Sequence, residues 1–194
     1  MKIGYSVEGS TDRALIKGFV KRWCPHAETI EGKFRGSTRT SRRREIQHIC
    51  GELASKSAEF IVFLTDSNTD DPDGWRSVLR QEGERLPAEY ARYTVFGICQ
   101  RNVECWLCAD ADWLSTKTLL PPEEFRMPNP KRAFELALGI QARDRKEEEI
   151  SALVQEAPLH NWLHNRSFED FYDKLWQKSK SFDDCQMENV RDAR

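Results

Sequence analysis

The chain is predicted to be an α/β protein: a central parallel sheet flanked by helices, with a helical C-terminal extension. Three observations predict it. The runs Phe60-Ile61-Val62-Phe63-Leu64 and Tyr93-Thr94-Val95-Phe96-Gly97-Ile98-Cys99 are continuously apolar, as strands covered on both faces are. Segments of helical period alternate with them, which calls for right-handed crossovers. The alternation stops near residue 120, so residues 1–120 are read as the α/β core and 121–194 as helices packed on it. A chain of 194 residues has room for one core and an appendage of this kind.

The elements follow in order. Ile3-Gly4-Tyr5-Ser6-Val7 is a short strand, and Glu8-Gly9-Ser10-Thr11-Asp12 brings turn and N-cap chemistry. Leu15, Ile16, Phe19, Val20 and Trp23 then mark one face of a helix that Pro25 ends. Glu28-Thr29-Ile30-Glu31 reads as a short strand, and Gly32 to Ser41 as a loop rich in Gly, Ser and Thr. Ile46, Ile49, Cys50, Leu53 and Ala54 predict a helix over 42–57 that leads into the strand at Phe60. That strand stops at an acidic loop, Asp66-Ser67-Asn68-Thr69-Asp70-Asp71. A helix over 75–85, the strand at Tyr93 and a helix over 102–110 complete the core. Helices are expected over 131–138, 147–155 and 168–178.

The formal net charge of −2 leaves no favourable overall field for a nucleic acid, so such a partner would be held by a local basic patch and metal ions. No apolar run approaches the roughly 20 residues that span a bilayer, and the N-terminus leads directly into a strand. A cytoplasmic protein is expected. Six scattered cysteines, mostly among apolar neighbours, suit free thiols in a reducing compartment.

In an open parallel sheet, ligands bind outside the carboxyl ends of the strands, where Glu8, the Asp66 loop and Glu104 all fall. Two carboxylates about 4 Å apart repel by roughly 4 kcal/mol at an effective dielectric near 20, so such a cluster calls for a cation or a shared proton. Hard oxygen donors favour Mg²⁺ or Mn²⁺. The competing reading of each acid is local: Glu8 and Glu104 as helix-start carboxylates, Asp66 and Asp70 as turn residues.

Val7-Glu8-Gly9 at a strand end, followed by an apolar strand ending in Asp66-Ser67-Asn68, resembles the Toprim family. Val7 to Asp12 and Glu104-Cys105-Trp106-Leu107-Cys108-Ala109-Asp110 are similar to the Val-Glu-Gly-x-Thr-Glu/Asp and Glu-x-Trp-Leu-x-Ala-Asp segments of small stand-alone Toprim proteins related to the overcoming-lysogenization-defect (OLD) nucleases. Ser167 to Tyr172 looks like their C-terminal segment. The resemblance implies a Toprim/Rossmann-like sheet and Mg²⁺- or Mn²⁺-dependent hydrolysis of nucleic-acid phosphodiesters, DNA before RNA, in antiviral defence beside an ATPase partner. It implies Glu8, Asp66 and Glu104 as catalytic residues and Glu8, Asp66, Asn68 and Asp70 as metal ligands. Asn68 departs from the family pattern, which has a second Asp there, and this opens the alternative of a catalytically silent metal- or nucleotide-binding subunit.

Arg39, Arg42, Arg43 and Arg44, beside Lys33 and Arg35, form the concentrated basic patch, and with Arg101 they are the candidate nucleic-acid contacts. Strand passage is disfavoured, since Tyr5, Tyr90, Tyr93 and Tyr172 have no context that singles out a nucleophile. Cys105-x-x-Cys108 with His26-Ala27-Glu28 mimics the zinc deaminase signature but lacks the preceding Pro, and with His160 and His164 it mimics a structural zinc site where separate helices with core cysteines are the preferred reading.

Overall fold

The computed structural model describes residues 1–34, 39–69, 71, 73–84, 86–138, 143–183 and 185–192, with the backbone alone at 39–44 and 143–146. Four strands, β1 (Lys2–Ser6), β2 (Glu28–Glu31), β3 (Phe60–Asp66) and β4 (Thr94–Cys99), form one sheet in the order β2-β1-β3-β4. Every pairing is parallel, with Ser6 beside Phe63 and Asp66 beside Cys99 in register. This is the α/β fold class that the apolar runs predict.

The crossovers are α1 (Ser10–Trp23), α2 (Arg39–Ser55) and the pair α3 (Gly74–Gly83) and α4 (Ala88–Ala91). The chain first steps to one side of β1 and then to the other, so the direction of winding reverses between β1 and β3. A crevice outside the carboxyl ends of those two strands follows from that reversal.

Side-chain alternation splits the core between the two faces. Tyr5, Val62, Leu64 and Val95 join α1 in the larger cluster, whereas Ile61, Phe63 and Phe96 pack with Ile46, Ile49 and Leu53 of α2. The larger cluster also takes in the last third of the chain. There α5 (Glu104–Leu107), α6 (Ala111–Lys117), α7 (Pro122–Phe125) and α8 (Lys131–Ala137) precede α9 (Arg143–Glu156), α10 (Leu159–Trp162) and α11 (Arg166–Ser179). Ile150 and Val154 of α9 and Phe168, Phe171 and Tyr172 of α11 are buried in it. The helices after residue 120 therefore cover one face of the sheet.

Two glycines permit that covering. A Cβ on Gly18 of α1 would stand 2.6 Å from Val154 Cβ, and one on Gly97 of β4 would stand 2.7 Å from the Phe171 ring. Both mark places where a helix approaches backbone closely. Arg13 ties the same layers together through Glu31 of β2 (2.9 Å) and Glu147 of α9 (2.6 Å).

Three expectations need correction. The segment 102–110 is not one helix: α5 ends at Leu107, and Asp110 starts α6 by accepting the Trp113 N–H at 3.0 Å. An acid that reads as mid-helix is an N-cap. The predicted loop over 32–41 gives way to α2 at Arg39, so Arg39 joins Arg42, Arg43 and Arg44 on the helix rather than preceding it. Their side chains fall outside the described residues. The cysteines are not all free thiols, because Cys24 and Cys185 form a disulfide across 161 residues, while Cys50, Cys99, Cys105 and Cys108 are free. Cys24 caps α1, and the Gln186 N–H donates to Trp23 O at 2.7 Å, which brings the two sulfurs together. No helix among the described residues is long and apolar enough to cross a membrane.

Candidate functional site

The crevice beyond β1 and β3 is an open cavity of ≈ 320 Å³ lined by Glu8, Gly9, Ser10, Thr11, Asp12, Asp66, Val103, Glu104, Lys131 and Glu135. Each acid reaches it by a different route. Two residues past the Ser6–Phe63 pairing, Glu8 comes alongside Thr65, whose hydroxyl donates to Glu8 Oε1. Asp66 is the last residue of β3, and the Val103 N–H donates to its carboxylate. Glu104 opens α5 and is 3 % exposed.

Glu104 is held from behind. Trp106 Nε1 donates to Ser167 Oγ at 2.7 Å, the Gln100 N–H donates to the same oxygen at 2.9 Å, and Ser167 Oγ donates to Asn165 Oδ1 at 2.8 Å. The first turn of α11 thus sets the position of α5 against the end of β4. Asp110 belongs to this support, since Asn161 Nδ2 donates to its Oδ2 at 2.7 Å.

Asp12 has turn and cap chemistry in the sequence and ends the first resembling segment, Val7 to Asp12, but is not among the expected site residues. It does cap: Oδ2 accepts the Gly9 N–H at 2.8 Å. Its side chain nevertheless lines the cavity at 4 % exposure, with Oδ1 unpartnered among the described residues. Asp66 Oδ1 is also buried without a partner. A buried polar atom left unpaired costs about 1–3 kcal/mol, so two such oxygens on one wall call for a ligand.

Electrostatics carry the same message. Burial raises Asp12 from its ordinary 3.8 to about 7, the Gly9 hydrogen bond opposes that, and the charges of Glu104 and Glu8 add to it. Burial raises Asp66 to about 8, with Asp12, Glu8 and Glu104 adding to the rise. Four carboxylates near enough to perturb one another share a proton or attract a cation. Among the described residues, however, no three His, Cys, Asp or Glu side chains stand as they are in an arrangement that could hold one ion. The acids line a common wall without converging on a point.

The other candidates lie elsewhere. Asn68 is exposed, adopts φ 51°, and does not line the cavity. Arg101 at φ 63° is partly buried and likewise outside it. The two loops are laced together: the Asn68 N–H donates to Arg101 O at 2.9 Å, and the Arg101 N–H donates to Ser67 Oγ at 2.8 Å. Left-handed backbone at two non-glycine residues on one sheet edge stores strain of the sort that gathers at functional loops. Asp70 lies outside the described residues. Lys131 and Glu135, which no strand or turn pattern announces, line the cavity from α8.

No protein-family model matches the chain, and neither a curated protein nor a solved structure matches it significantly.

Proposed function

We propose that the cavity is a divalent-cation site and that the protein is a Mg²⁺- or Mn²⁺-dependent nuclease, of the Toprim kind and related to the OLD nucleases, acting on phosphodiesters of DNA. The observation that carries this reading is the four-carboxylate wall of Glu8, Asp12, Asp66 and Glu104 at the point where the sheet reverses its winding. The donors fit such an ion. All are hard oxygens, and two of them, Asp12 Oδ1 and Asp66 Oδ1, are buried with no partner among the described residues. Proton chemistry alone would be served by two acids; a third and fourth add repulsion that a divalent cation relieves with all four ionised.

A bound divalent ion would supply Lewis-acid stabilisation of the phosphate and a more acidic water. The chain's own residues do the rest. Asp66 and Asp12 hold the ion from the rigid end of β3 and the first turn of α1. Glu8, oriented by the Thr65 hydroxyl, accepts the proton of the attacking water or serves as a further ligand. Glu104, fixed through Trp106 and Ser167, closes the third side. The near-neutral charge of the chain leaves the bulk of nucleic-acid affinity to Arg39, Arg42, Arg43 and Arg44 on α2, to Arg101, and to an ATPase partner in a cytoplasmic defence complex.

The experiment is plasmid nicking with Mg²⁺ or Mn²⁺ by the wild type, Glu8→Ala and Asp66→Ala, alone and with any ATPase encoded beside it. Loss of nicking in both variants is expected; nicking that survives both would remove the assignment to this cavity. The acids line the wall without converging on one point among the described residues, which favours a second reading, a metal- or nucleotide-binding subunit without cleavage. Mn²⁺ binding by calorimetry with no nicking under any condition would select it.

A further inference from the structure

The cavity wall opposite the strand ends comes from the C-terminal helices, through Lys131 and Glu135 on successive turns of α8. Helix α8 is pinned in place at two levels. Ala133 and Phe134 are buried in the main core, Phe134 with no exposure. At its start, Asn129 Oδ1 accepts from Asn102 Nδ2 (3.4 Å) and from the Lys131 N–H (3.4 Å), which ties the helix to the loop two residues before Glu104. Lys131 therefore stands on an anchored turn at the mouth of the acidic wall, with its side chain exposed.

The charge arithmetic of the lining gives that position a purpose. Glu8, Asp12, Asp66, Glu104 and Glu135 are five acids against one base. A phosphodiester approaching this wall meets negative charge from every charged lining side chain but Lys131, even where cations neutralise the inner acids. A lysine is a compact, flexible point charge, suited to a phosphate oxygen, and at an exposed mouth it costs little to desolvate. We infer that Lys131 is the phosphate-binding residue of this site, contacting a non-bridging oxygen of the nucleic-acid backbone, so that the C-terminal helices supply the substrate cation and the strand ends supply the metal acids. This rests on the nuclease reading.

The test separates the two. Mn²⁺ affinity is measured by calorimetry, and binding of a fluorescein-labelled single-stranded oligodeoxynucleotide by anisotropy with Ca²⁺ in place of Mg²⁺, over a range of salt. Wild type, Lys131→Gln and Lys131→Arg are compared. Lys131→Gln should bind Mn²⁺ at least as tightly as wild type and bind the oligonucleotide more weakly, its slope of log affinity on log salt smaller by about 0.7–1, the loss of one phosphate contact. Lys131→Arg should restore both affinity and slope. Unchanged oligonucleotide affinity and slope in Lys131→Gln would overturn the inference while leaving the nuclease reading intact. A fall in Mn²⁺ affinity would also overturn it, since the lysine would then be supporting the acids. A wild type that binds Mn²⁺ but no oligonucleotide would overturn both.

Discussion

Replacing Asp12 with Asn should make the cation-free protein more stable, by an amount that grows as pH rises from about 4 to about 7 and then holds. In the folded chain Asp12 gives up its proton at about 7, against an ordinary 3.8, because burial and the charges of Glu104 and Glu8 oppose ionisation. A carboxyl raised in this way contributes its full share of stability below pH 3.8. Between 3.8 and about 7 the unfolded chain ionises first and stability drains away, and above 7 the loss is complete. The gap, at about 1.4 kcal/mol per pH unit, amounts to about 4 kcal/mol as a ceiling. Asn is nearly isosteric and keeps the oxygen that accepts the Gly9 N–H at 2.8 Å, so the cap survives while the charge goes. Urea denaturation with a chelator present should show Asp12→Asn more stable than wild type by up to about 4 kcal/mol at pH 8, shrinking below about 1 kcal/mol at pH 4. Equal stability at pH 8, or a gain that does not depend on pH, would refute the idea that Asp12 is held as a strained charge. Mn²⁺ should narrow the gap at pH 8, stabilising the wild type and not the variant.

Four other outcomes are expected. Mn²⁺ at about 100 times its dissociation constant should stabilise the wild type by about 2.7 kcal/mol in a thermal melt, and Asp66→Asn should abolish that gain. Thr65→Val, which removes the hydroxyl that orients Glu8, should weaken Mn²⁺ binding by about tenfold in calorimetry, with little change in folding. Reduction, or the double change Cys24→Ser with Cys185→Ser, should lower stability by as much as about 5 kcal/mol, the chain-entropy value for so long a loop, read from the urea midpoint. Gly18→Ala should cost about 1–3 kcal/mol, because its methyl would meet Val154 Cβ at 2.6 Å and Ser151 O at 2.9 Å, and the same denaturation curve reports it.

The fold was legible where a residue's neighbours in sequence are also its reasons. Phe60 to Leu64 and Thr94 to Cys99 are apolar on both faces because α1 and α11 cover one side and α2 the other, and such a run has few other readings. Legibility failed where the reason lies far along the chain. Cys24 follows the apolar face of α1 and Cys185 stands between Asp183-Asp184 and Gln186, so nothing local to either announces a bridge, and only the folding back of the tail across 161 residues pairs them. Asp110 looks like one more acid in a helix until the Trp113 N–H and Asn161 single it out. Lys131 looks like a solvated charge until Asn129 and Phe134 place its helix against the cavity.

The same distinction decides where the second carboxylate beside Asp66 comes from. In a strand, residues two apart share a face, and on that rule Asn68 would stand beside Asp66 and bring an amide where a charge belongs. The rule ends with the strand. β3 stops at Asp66, the Ser67 N–H is taken by Cys99 O, and Asn68 turns left-handed and out to solvent to pair with the loop after β4. The position next to Asp66 in the cavity is filled instead from α1 by Asp12, four residues after Glu8 and on the first turn of the helix, whose charge is one of those that raise Asp66 to about 8. The amide at 68 therefore removes no charge from the wall. Whether the site binds a cation turns on Asp12, which is why a substitution there, and not at Asn68, is the one that should separate a metal centre from an acidic turn.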